Sequence, residues 1–409
     1  MPLFVLYLTS LDRRRVNRET TPFLAASLDS YPWAEMSNYP GNDLLPSILT
    51  GTYPAEHGVW GVTLKEKEGF QRSRWVDKLP DLVTTSAQCF VHLITGEFDL
   101  AAVPPWRRRR FEITRTKWKR FKRPYDVLSE IGGVTSIMGL VGREQCRYQY
   151  RSPTSPVRLL PYIGAGEFMV DWLELYSLNR FQQWNLHRAD KVRKYYRKID
   201  RFVELLHAKC ASSGITLVLL SEHGHEAVKD SINLKELLET LGLSLEEYTF
   251  FLELSIVRFW FHTDRARQRI TDLLSGLKHV KIFSYLEMDQ LNLSFKDAKY
   301  GEVIGVADPG YIFFPHDFHQ PLANLFLGLT DPKQFLRIFD PRQRGNCGYL
   351  PQHASEKGIM LVMDERYIAT RRKMELIDVA PSLLAMLGRE PPASMKGETI
   401  FAVRDSRPK

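Results

Sequence analysis

The chain has 409 residues, of which 44% are hydrophobic and 25% are charged. This length allows two or three domains, or one large α/β domain with insertions, and the composition excludes disorder, collagen-like repeats and a disulfide scaffold as descriptions of the whole chain. Its four cysteines are far apart and form no Cys-x-x-Cys pair, so neither a zinc ribbon nor a disulfide framework is predicted. We therefore expect a reducing, cytoplasmic location.

The first predicted element is a strand at 4–11, a nearly continuous apolar run that ends at Asp12. Such a run is typical of a parallel strand that is buried on both faces. No basic residue precedes it and no small-residue cleavage site follows it, which favours a strand over a signal peptide. No run of about 18 apolar residues occurs elsewhere, so no transmembrane segment is expected. A helix is predicted from Pro22, with Thr21 as its N-cap.

The middle of the chain reads as a helix, a short break and a buried strand. Five apolar residues recur at alternating spacings of four and three, as in an amphipathic helix: Val192, Tyr196, Ile199, Val203 and Leu206. Gly214 breaks the chain before a predicted strand at 215–220, which runs into the polar turn SEHGH at 221–225. This order is typical of βαβ units, in which ligands lie beyond the carboxyl ends of the strands.

Two insertions are expected in this single α/β domain, at 65–130 and at 229–300. The first contains the segment 106–123, in which ten basic residues and one acidic residue give a local charge of +9, against +8 for the whole chain. The segment predicts contact with an anion, and its interleaved aromatic residues suit nucleic acid or an acidic membrane surface. A solvated basic face is the alternative interpretation.

The second insertion opens with a predicted helix at 234–243 and includes the apolar stretch 250–261. Near 301–310 the chain is expected to rejoin the core, and a last helix is predicted at 375–387. The overall prediction is a mixed, mostly parallel sheet flanked by helices, with one compact domain over 1–409.

Three separate motifs resemble, in order, a known family. They are LPSILTGTYPAEHG at 45–58, SEHG at 221–224 and ELIDVAPSLLAMLG at 375–388. Together with a first strand that ends at Asp12 and with TPFL at 21–24, they are similar to the type I phosphodiesterase and nucleotide pyrophosphatase branch of the alkaline phosphatase superfamily. The resemblance covers most of the core and excludes both insertions.

The resemblance implies a phosphoester site with two divalent metals, usually zinc, and a Ser or Thr nucleophile. It assigns the first metal to Asp12, to Glu222 in place of the family's Asp, and to His223. Glu supplies the same donor oxygen as Asp with one more methylene, so this shell is expected to hold one zinc or manganese ion. The alternative is a pair of carboxyl groups that are hydrogen-bonded at the strand ends.

The position of the nucleophile departs from the family pattern. An ungapped count places Gly41 there, with Asn42 beside it, and an insertion of three residues would align Asn38 instead. Neither Asn is a normal nucleophile, although Asn42 is the candidate catalytic position. Ser37 and Ser47 are the nearest hydroxyls, and both require a shift of register.

The positions of the second metal also depart from the family. Tyr176 and Arg180 stand where the family has Asp and His, and Cys347 stands where it has another His. An arginine cannot ligate a cation, but it can replace part of its charge and contact a phosphate through two hydrogen bonds. Arg180 is therefore a candidate catalytic residue, and Tyr176, Cys347 and His353 are candidate contacts to the substrate.

Two functions follow from the resemblance. The first is a phosphoester or phosphodiester hydrolase, or a phosphoryl transferase, that uses at most one metal ion and acts on an anionic, phosphorylated small molecule. The alternative is a catalytically inactive scaffold that binds an anionic ligand, a partner or a membrane surface.

Overall fold

The computed structural model describes most of the chain. The described residues are 1–41, 43–61, 63–65, 80, 82–83, 85–86, 111–113, 128–164, 166–293, 295, 297–330, 335 and 337–404. The predicted insertion at 65–130 and its basic segment 106–123 therefore fall mostly outside the described residues, as does Asn42.

A mixed sheet forms the centre of the molecule, and seven of its strands lie in the described residues. In spatial order they are Lys373–Glu375, Trp33–Ser37, Gly358–Met363, Thr216–Ser221, Leu3–Leu8, Val170–Leu175 and Cys146–Arg151. Gly358–Met363 is antiparallel to both neighbours, and the other adjacent pairs are parallel. The predicted mixed, mostly parallel sheet is thus confirmed.

The first strand shows why the sheet is buried on both faces. All six residues of Leu3–Leu8 are buried. Leu3, Val5 and Tyr7 pack into one hydrophobic cluster, whereas Phe4, Leu6 and Leu8 pack into another on the opposite face. Since side chains alternate along a strand, a continuous apolar run supplies both faces.

Helices flank this sheet. The described α-helices are Pro22–Ser30, Leu45–Thr50, Pro54–His57, Ile137–Val141, Ser177–Asn185, Ala189–Ser212, Leu234–Glu239, Asp264–Ser275, Pro321–Thr330 and Val379–Met386. The described 3-10 helices are Arg13–Arg15, Arg143–Gln145, Pro156–Tyr162, Glu287–Leu291, Ala354–Glu356 and Leu376–Asp378. Among the described residues, no helix is both long enough and apolar enough to cross a bilayer.

The longest helix confirms the prediction from periodicity. All five apolar residues that predicted it are buried on Ala189–Ser212. The helix that begins at Pro22 is also present, but the Thr21 side chain does not cap it. The Thr21 hydroxyl instead donates to the carbonyl of Asn17, 3.2 Å away, so the predicted cap is corrected.

The apolar stretch 250–261 forms a hairpin in a second, antiparallel sheet. Its strands are, in spatial order, Tyr248–Leu252, Ile256–Phe261, Val303–Ala307 and Val280–Ser284. The chain near 301–310 was expected to rejoin the core, but Val303–Ala307 pairs inside this second sheet. The predicted helix at 234–243 is shorter, at Leu234–Glu239, and the predicted helix at 375–387 is split into Leu376–Asp378 and Val379–Met386.

Short ladders connect the loops around the central sheet. The described two-stranded pairs are Glu226–Ala227 with Gly345–Asn346, Asp230–Ile232 with Tyr311–Phe313, Tyr367–Ala369 with Phe401–Val403, Thr63–Lys65 with Phe111–Ile113, and Glu130–Ile131 with Val134–Thr135. The first of these pairs lies immediately after the SEHG motif and positions the site described next.

Candidate active site

The candidate site lies where three adjacent parallel strands end. Leu3–Leu8 lies between Val170–Leu175 and Thr216–Ser221, so the loops that follow these strands meet. Ser10 connects the loop after Leu3–Leu8 to the helix Ser177–Asn185: its carbonyl accepts from Gln182 Nε2 at 2.7 Å, and its hydroxyl accepts from Asn179 Nδ2 at 2.8 Å. A site at this edge is what a parallel sheet favours.

Asp12, the first predicted metal ligand, is buried and is held by an arginine. Its Oδ1 accepts from Arg14 Nε at 2.9 Å, and its Oδ2 accepts from Arg14 Nη2 at 2.8 Å. The backbone N–H of Arg14 also donates to Oδ1, at 3.0 Å. Both carboxylate oxygens are therefore engaged in a bidentate ion pair.

The Arg14 guanidinium is itself held by other groups. Its Nη1 donates to Glu226 Oε2 at 3.0 Å, and its Nη2 donates to the carbonyl of His225 at 3.1 Å. The positive charge thus lies between two carboxylates, next to the SEHG motif.

Glu222, the second predicted ligand, is buried beside His223. Its Oε1 lies 3.4 Å from His223 Nε2. Its Oε2 has no hydrogen-bond partner within the described part of the chain. Burial raises the pKa of Glu222 to about 8, so the protonated form is favoured at neutral pH.

His223, the third predicted ligand, has a fixed tautomer. Its Nδ1 lies 2.9 Å from the carbonyl of Gly224, and since a carbonyl only accepts, Nδ1 carries the proton and Nε2 keeps the lone pair. Gly224 is required here because a Cβ at this position would lie 2.6 Å from the Asp12 Cβ. The structure therefore places Glu222 against His223, and the backbone of Gly224 against Asp12, in the loops that follow two neighbouring strands.

Two further residues lie next to His223. One donor atom each from His223, His225 and Cys347 lies within 4.8 Å of the other two. His225 is fully buried, and neither of its ring nitrogens has a hydrogen-bond partner among the residues that the structure describes. Burial lowers the pKa of His225 well below its usual value, which keeps the imidazole neutral.

Glu356 adds a buried carboxyl group near this cluster. Its Oε2 accepts from the backbone N–H of Gly348 at 3.0 Å, and its Oε1 accepts from the Ser355 hydroxyl at 3.0 Å. Burial raises the pKa of Glu356 to about 7, and the nearby His223 opposes this shift. The group connects the loop that carries Cys347 to the short helix Ala354–Glu356.

The remaining predicted substrate contacts are spread around this edge. Arg180 lies on the first turn of Ser177–Asn185, with its guanidinium carbon 5.8 Å from the centre of the Tyr176 ring. His353 caps a short helix, since its Nδ1 accepts from the Ser355 N–H at 3.2 Å. The structure therefore brings Cys347 to the histidine cluster and gives His353 a local structural contact.

The candidate hydroxyls have other partners. Ser37 accepts from Lys357 Nζ at 3.3 Å. Ser47 lies 2.9 Å from His57 Nε2 and 2.8 Å from the hydroxyl of Tyr39. Asn38, the alternative to Asn42, donates from its Nδ2 to the carbonyl of Glu222 at 3.3 Å.

The Ser47–His57 pair has the wrong proton arrangement for nucleophile activation. His57 Nδ1 accepts from the N–H of Val59 at 3.2 Å, so the ring proton lies on Nε2 and points at Ser47. A general base has to accept the proton of the hydroxyl. Burial also lowers the pKa of His57 to about 3, and the pair is a buried structural contact.

Three residues of this site were not predicted from the sequence: Ser10, His225 and Glu356. His225 follows His223 at a spacing of two, which is the only signal that the sequence carries for it. Ser10 has a φ of 67°, a left-handed conformation that is uncommon outside glycine. No motif marks Ser10 or Glu356, because both depend on contacts with distant segments.

Comparison with known proteins identifies the fold and the family. The sequence matches the family model "Type I phosphodiesterase / nucleotide pyrophosphatase" over residues 20–320. The structure is similar to murine ectonucleotide pyrophosphatase / phosphodiesterase 5, with a TM-score of 0.64, 11% identity and coverage of 96% of each chain. The same values hold for an inactive form of that murine protein in complex with AMP. The human protein of the same name gives a TM-score of 0.62 and 12% identity, again over 96% of each chain.

A search of curated proteins found no match. The structural similarity confirms the alkaline-phosphatase-like fold that the motifs predicted, and the family model spans most of the chain. The chain therefore belongs to the type I phosphodiesterase / nucleotide pyrophosphatase family of the alkaline phosphatase superfamily.

Proposed function

We propose that the chain binds a phosphate ester of the nucleotide class at the carboxyl edge of the central sheet and cleaves its phosphodiester bond. Family membership supports a phosphodiester substrate, and the AMP complex of the murine protein supports a nucleotide-like ligand. The observation that carries the proposal is that His223, Glu222 and the helix bearing Arg180 converge at the ends of three parallel strands.

Arg180 is the proposed contact to the phosphoryl group. It follows strand Val170–Leu175 at the position where the family has a metal ligand, and it lies over the Tyr176 ring. A guanidinium presents two parallel N–H groups to phosphate oxygens and keeps its charge at any physiological pH. Tyr176 would then orient this guanidinium against the ligand.

The two-metal arrangement of the family does not fit these residues. Both oxygens of Asp12 accept from Arg14, and a cation at this carboxylate would have to displace a bidentate ion pair. At the second position Tyr176 and Arg180 replace the ligands, and an arginine repels a cation. We therefore propose at most one divalent ion, zinc or manganese, and derive no catalytic step from a metal pair.

A catalytically inactive scaffold that binds the same ligand is the second candidate. The Asp12–Arg14 pair favours this inactive scaffold, because Arg14 neutralises the carboxylate charge that would otherwise attract a metal ion. The hydroxyls of Ser37 and Ser47 have hydrogen-bond partners and do not support a nucleophile either. Binding without turnover is the result that this candidate predicts.

Two assays test the proposal on the purified full chain. AMP affinity is measured by calorimetry, and turnover is measured with bis(para-nitrophenyl) phosphate in the presence of zinc or manganese. Arg180→Ala is expected to weaken AMP binding by about tenfold or more, which corresponds to one charged hydrogen bond. Arg197→Ala, on the exposed face of Ala189–Ser212, is the matched control.

The outcomes separate the two candidates. Turnover together with Arg180-dependent binding supports the hydrolase. AMP binding without turnover supports the inactive scaffold. An AMP affinity that Arg180→Ala and Arg197→Ala leave equally unchanged would refute the proposed phosphate contact.

A further inference from the structure

Three side chains with nitrogen or sulfur donors meet beside the SEHG motif. His223, His225 and Cys347 are each less than 7% exposed, and one donor atom from each lies within 4.8 Å of the others. Ligands of a tetrahedral zinc ion lie about 3.5 Å apart, since the Zn–N and Zn–S bonds are about 2.1 and 2.3 Å. Adjustments of roughly 1 Å would bring these three donors to ligand spacing.

The surroundings of His225 are the strongest indication that these side chains bind an ion. The ring is fully buried, yet neither nitrogen has a hydrogen-bond partner in the described parts of the chain. A buried polar group without a partner is costly, because no hydrogen bond compensates for the loss of its hydration. A metal ion that accepts the lone pair of one nitrogen would remove much of that cost.

The backbone holds His225 and Cys347 opposite each other. Glu226 pairs with Asn346 in an antiparallel ladder, and Ala227 pairs with Gly345. His225 precedes Glu226 and Cys347 follows Asn346, so His225 and Cys347 are cross-strand neighbours. The Cβ atoms of such neighbours typically lie about 5 Å apart. This backbone ladder positions the two donors.

The surroundings of His223 also suit a metal ligand. Its Nδ1–H donates to the Gly224 carbonyl, which fixes the tautomer and leaves Nε2 as the donor atom. Such a hydrogen bond to a backbone carbonyl is a regular feature of metal-binding histidines. Glu356 accepts from the N–H of Gly348, directly after Cys347, and so holds the loop that carries this thiol.

We propose that His223, His225 and Cys347 form a single zinc site. Two imidazoles and a thiolate favour zinc over manganese, because manganese prefers oxygen donors. The set differs from the shell of Asp12, Glu222 and His223 that the sequence predicted, and the two share only His223. Any role of the ion in ester cleavage rests on the proposed function, whereas its binding does not.

Metal content and a cobalt spectrum test the site without substrate. The full chain is purified without a metal-affinity column, and zinc is measured by plasma mass spectrometry. After the protein is stripped with a chelator, Co²⁺ is added and the near-ultraviolet spectrum is recorded. We expect one zinc per chain and, with Co²⁺, the charge-transfer band of a sulfur ligand.

Matched variants assign the ligands. Cys347→Ser and His225→Gln are each expected to weaken zinc binding by about 100-fold or more, because removal of a direct ligand costs at least as much as removal of its supporting contacts. Cys210→Ser is the control, since Cys210 is also a buried thiol but lies on the helix Ala189–Ser212. Asp12→Asn tests the alternative shell and is expected to keep zinc. Far-ultraviolet circular dichroism shows whether each variant is folded.

Three results would overturn the site. They are no zinc after reconstitution, one zinc that Asp12→Asn removes while Cys347→Ser keeps it, and a cobalt complex without the sulfur band. The last result is obtained on the wild-type chain, so it stands even if a variant fails to fold. Loss of zinc in Cys347→Ser without any change in AMP binding would refute a role for the ion in AMP binding. It would still support Cys347 as a zinc ligand.

Discussion

Both carboxylate oxygens of Asp12 are occupied by the guanidinium of Arg14, at 2.9 Å for Nε–Oδ1 and 2.8 Å for Nη2–Oδ2. Asp12 lies in the loop after the first strand, Leu3–Leu8, at the position where the family resemblance implies a metal ligand. Arg14, two residues after Asp12, thus supplies a positive charge next to the carboxylate that the resemblance assigns to a metal.

Arg14→Met is expected to lower the free energy of unfolding by about 1–3 kcal/mol, because it removes the bidentate ion pair of the buried Asp12 carboxylate and leaves only the longer contact with Arg15 Nε at 3.5 Å. Added zinc or manganese is expected to recover part of the loss. The matched control is Arg13→Met, which breaks a more exposed pair with Glu35 and is expected to cost less than about 1 kcal/mol. Urea denaturation measures both, and equal losses in the two variants would contradict the prediction.

Gly224→Ala is expected to destabilise the site by about 1–3 kcal/mol, because the new Cβ would lie 2.6 Å from the Asp12 Cβ. Gly276→Ala is the matched control, since the nearest atom to its new Cβ would be the carbonyl oxygen of Leu273 at 3.4 Å, an ordinary van der Waals distance. Thermal denaturation is the measurement. A melting temperature for Gly224→Ala that equals that of Gly276→Ala would argue against the close approach of these two loops.

His57 is expected to make the fold sensitive to acid. Burial lowers the pKa of His57 to about 3, so between about pH 6.5 and 3 the unfolded chain binds a proton that the folded chain does not. His57 therefore leaves the free energy of unfolding unchanged above about pH 6.5. Below that pH it lowers the free energy of unfolding by roughly 1.4 kcal/mol per pH unit. His57→Gln should flatten the fall between pH 7 and 5 in urea titrations, and an unchanged slope would contradict this assignment.

Ser47→Ala is expected to lower stability by about 1 kcal/mol or more, because Ser47 contacts both His57 and Tyr39 in the core. AMP affinity and any turnover of bis(para-nitrophenyl) phosphate should stay at the wild-type level. Complete loss of turnover in a folded Ser47→Ala variant would instead identify Ser47 as the nucleophile.

The sheet and the long helix could be predicted because their patterns are local. Leu3–Leu8 is apolar throughout, and Ala189–Ser212 has apolar residues at helical spacing. The sequence of each element therefore predicts which of its residues are buried. The motifs then give the order of the core elements. The hairpin at 248–261 was harder to predict, since an apolar run does not show where the chain turns or which strand it pairs with.

The candidate site could be predicted only in part. The positions of Asp12, Glu222 and His223 follow from strand ends, which a sequence pattern locates. The neighbourhood of His225 and Cys347 depends on the pairing of Glu226–Ala227 with Gly345–Asn346, two segments far apart in the chain. The Asp12–Arg14 pair is local, but whether a carboxylate accepts from an arginine or from a metal is decided by side-chain geometry.

Anomalous diffraction at the zinc absorption edge, on crystals of the full chain grown with zinc, would locate the ion and identify its ligands. One peak is expected, surrounded by His223, His225 and Cys347, with the Asp12 carboxylate still paired to Arg14. Two peaks, or a single peak bound by Asp12 and Glu222 with Arg14 displaced, would show that the metal arrangement of the family is retained and would rule out the proposed site.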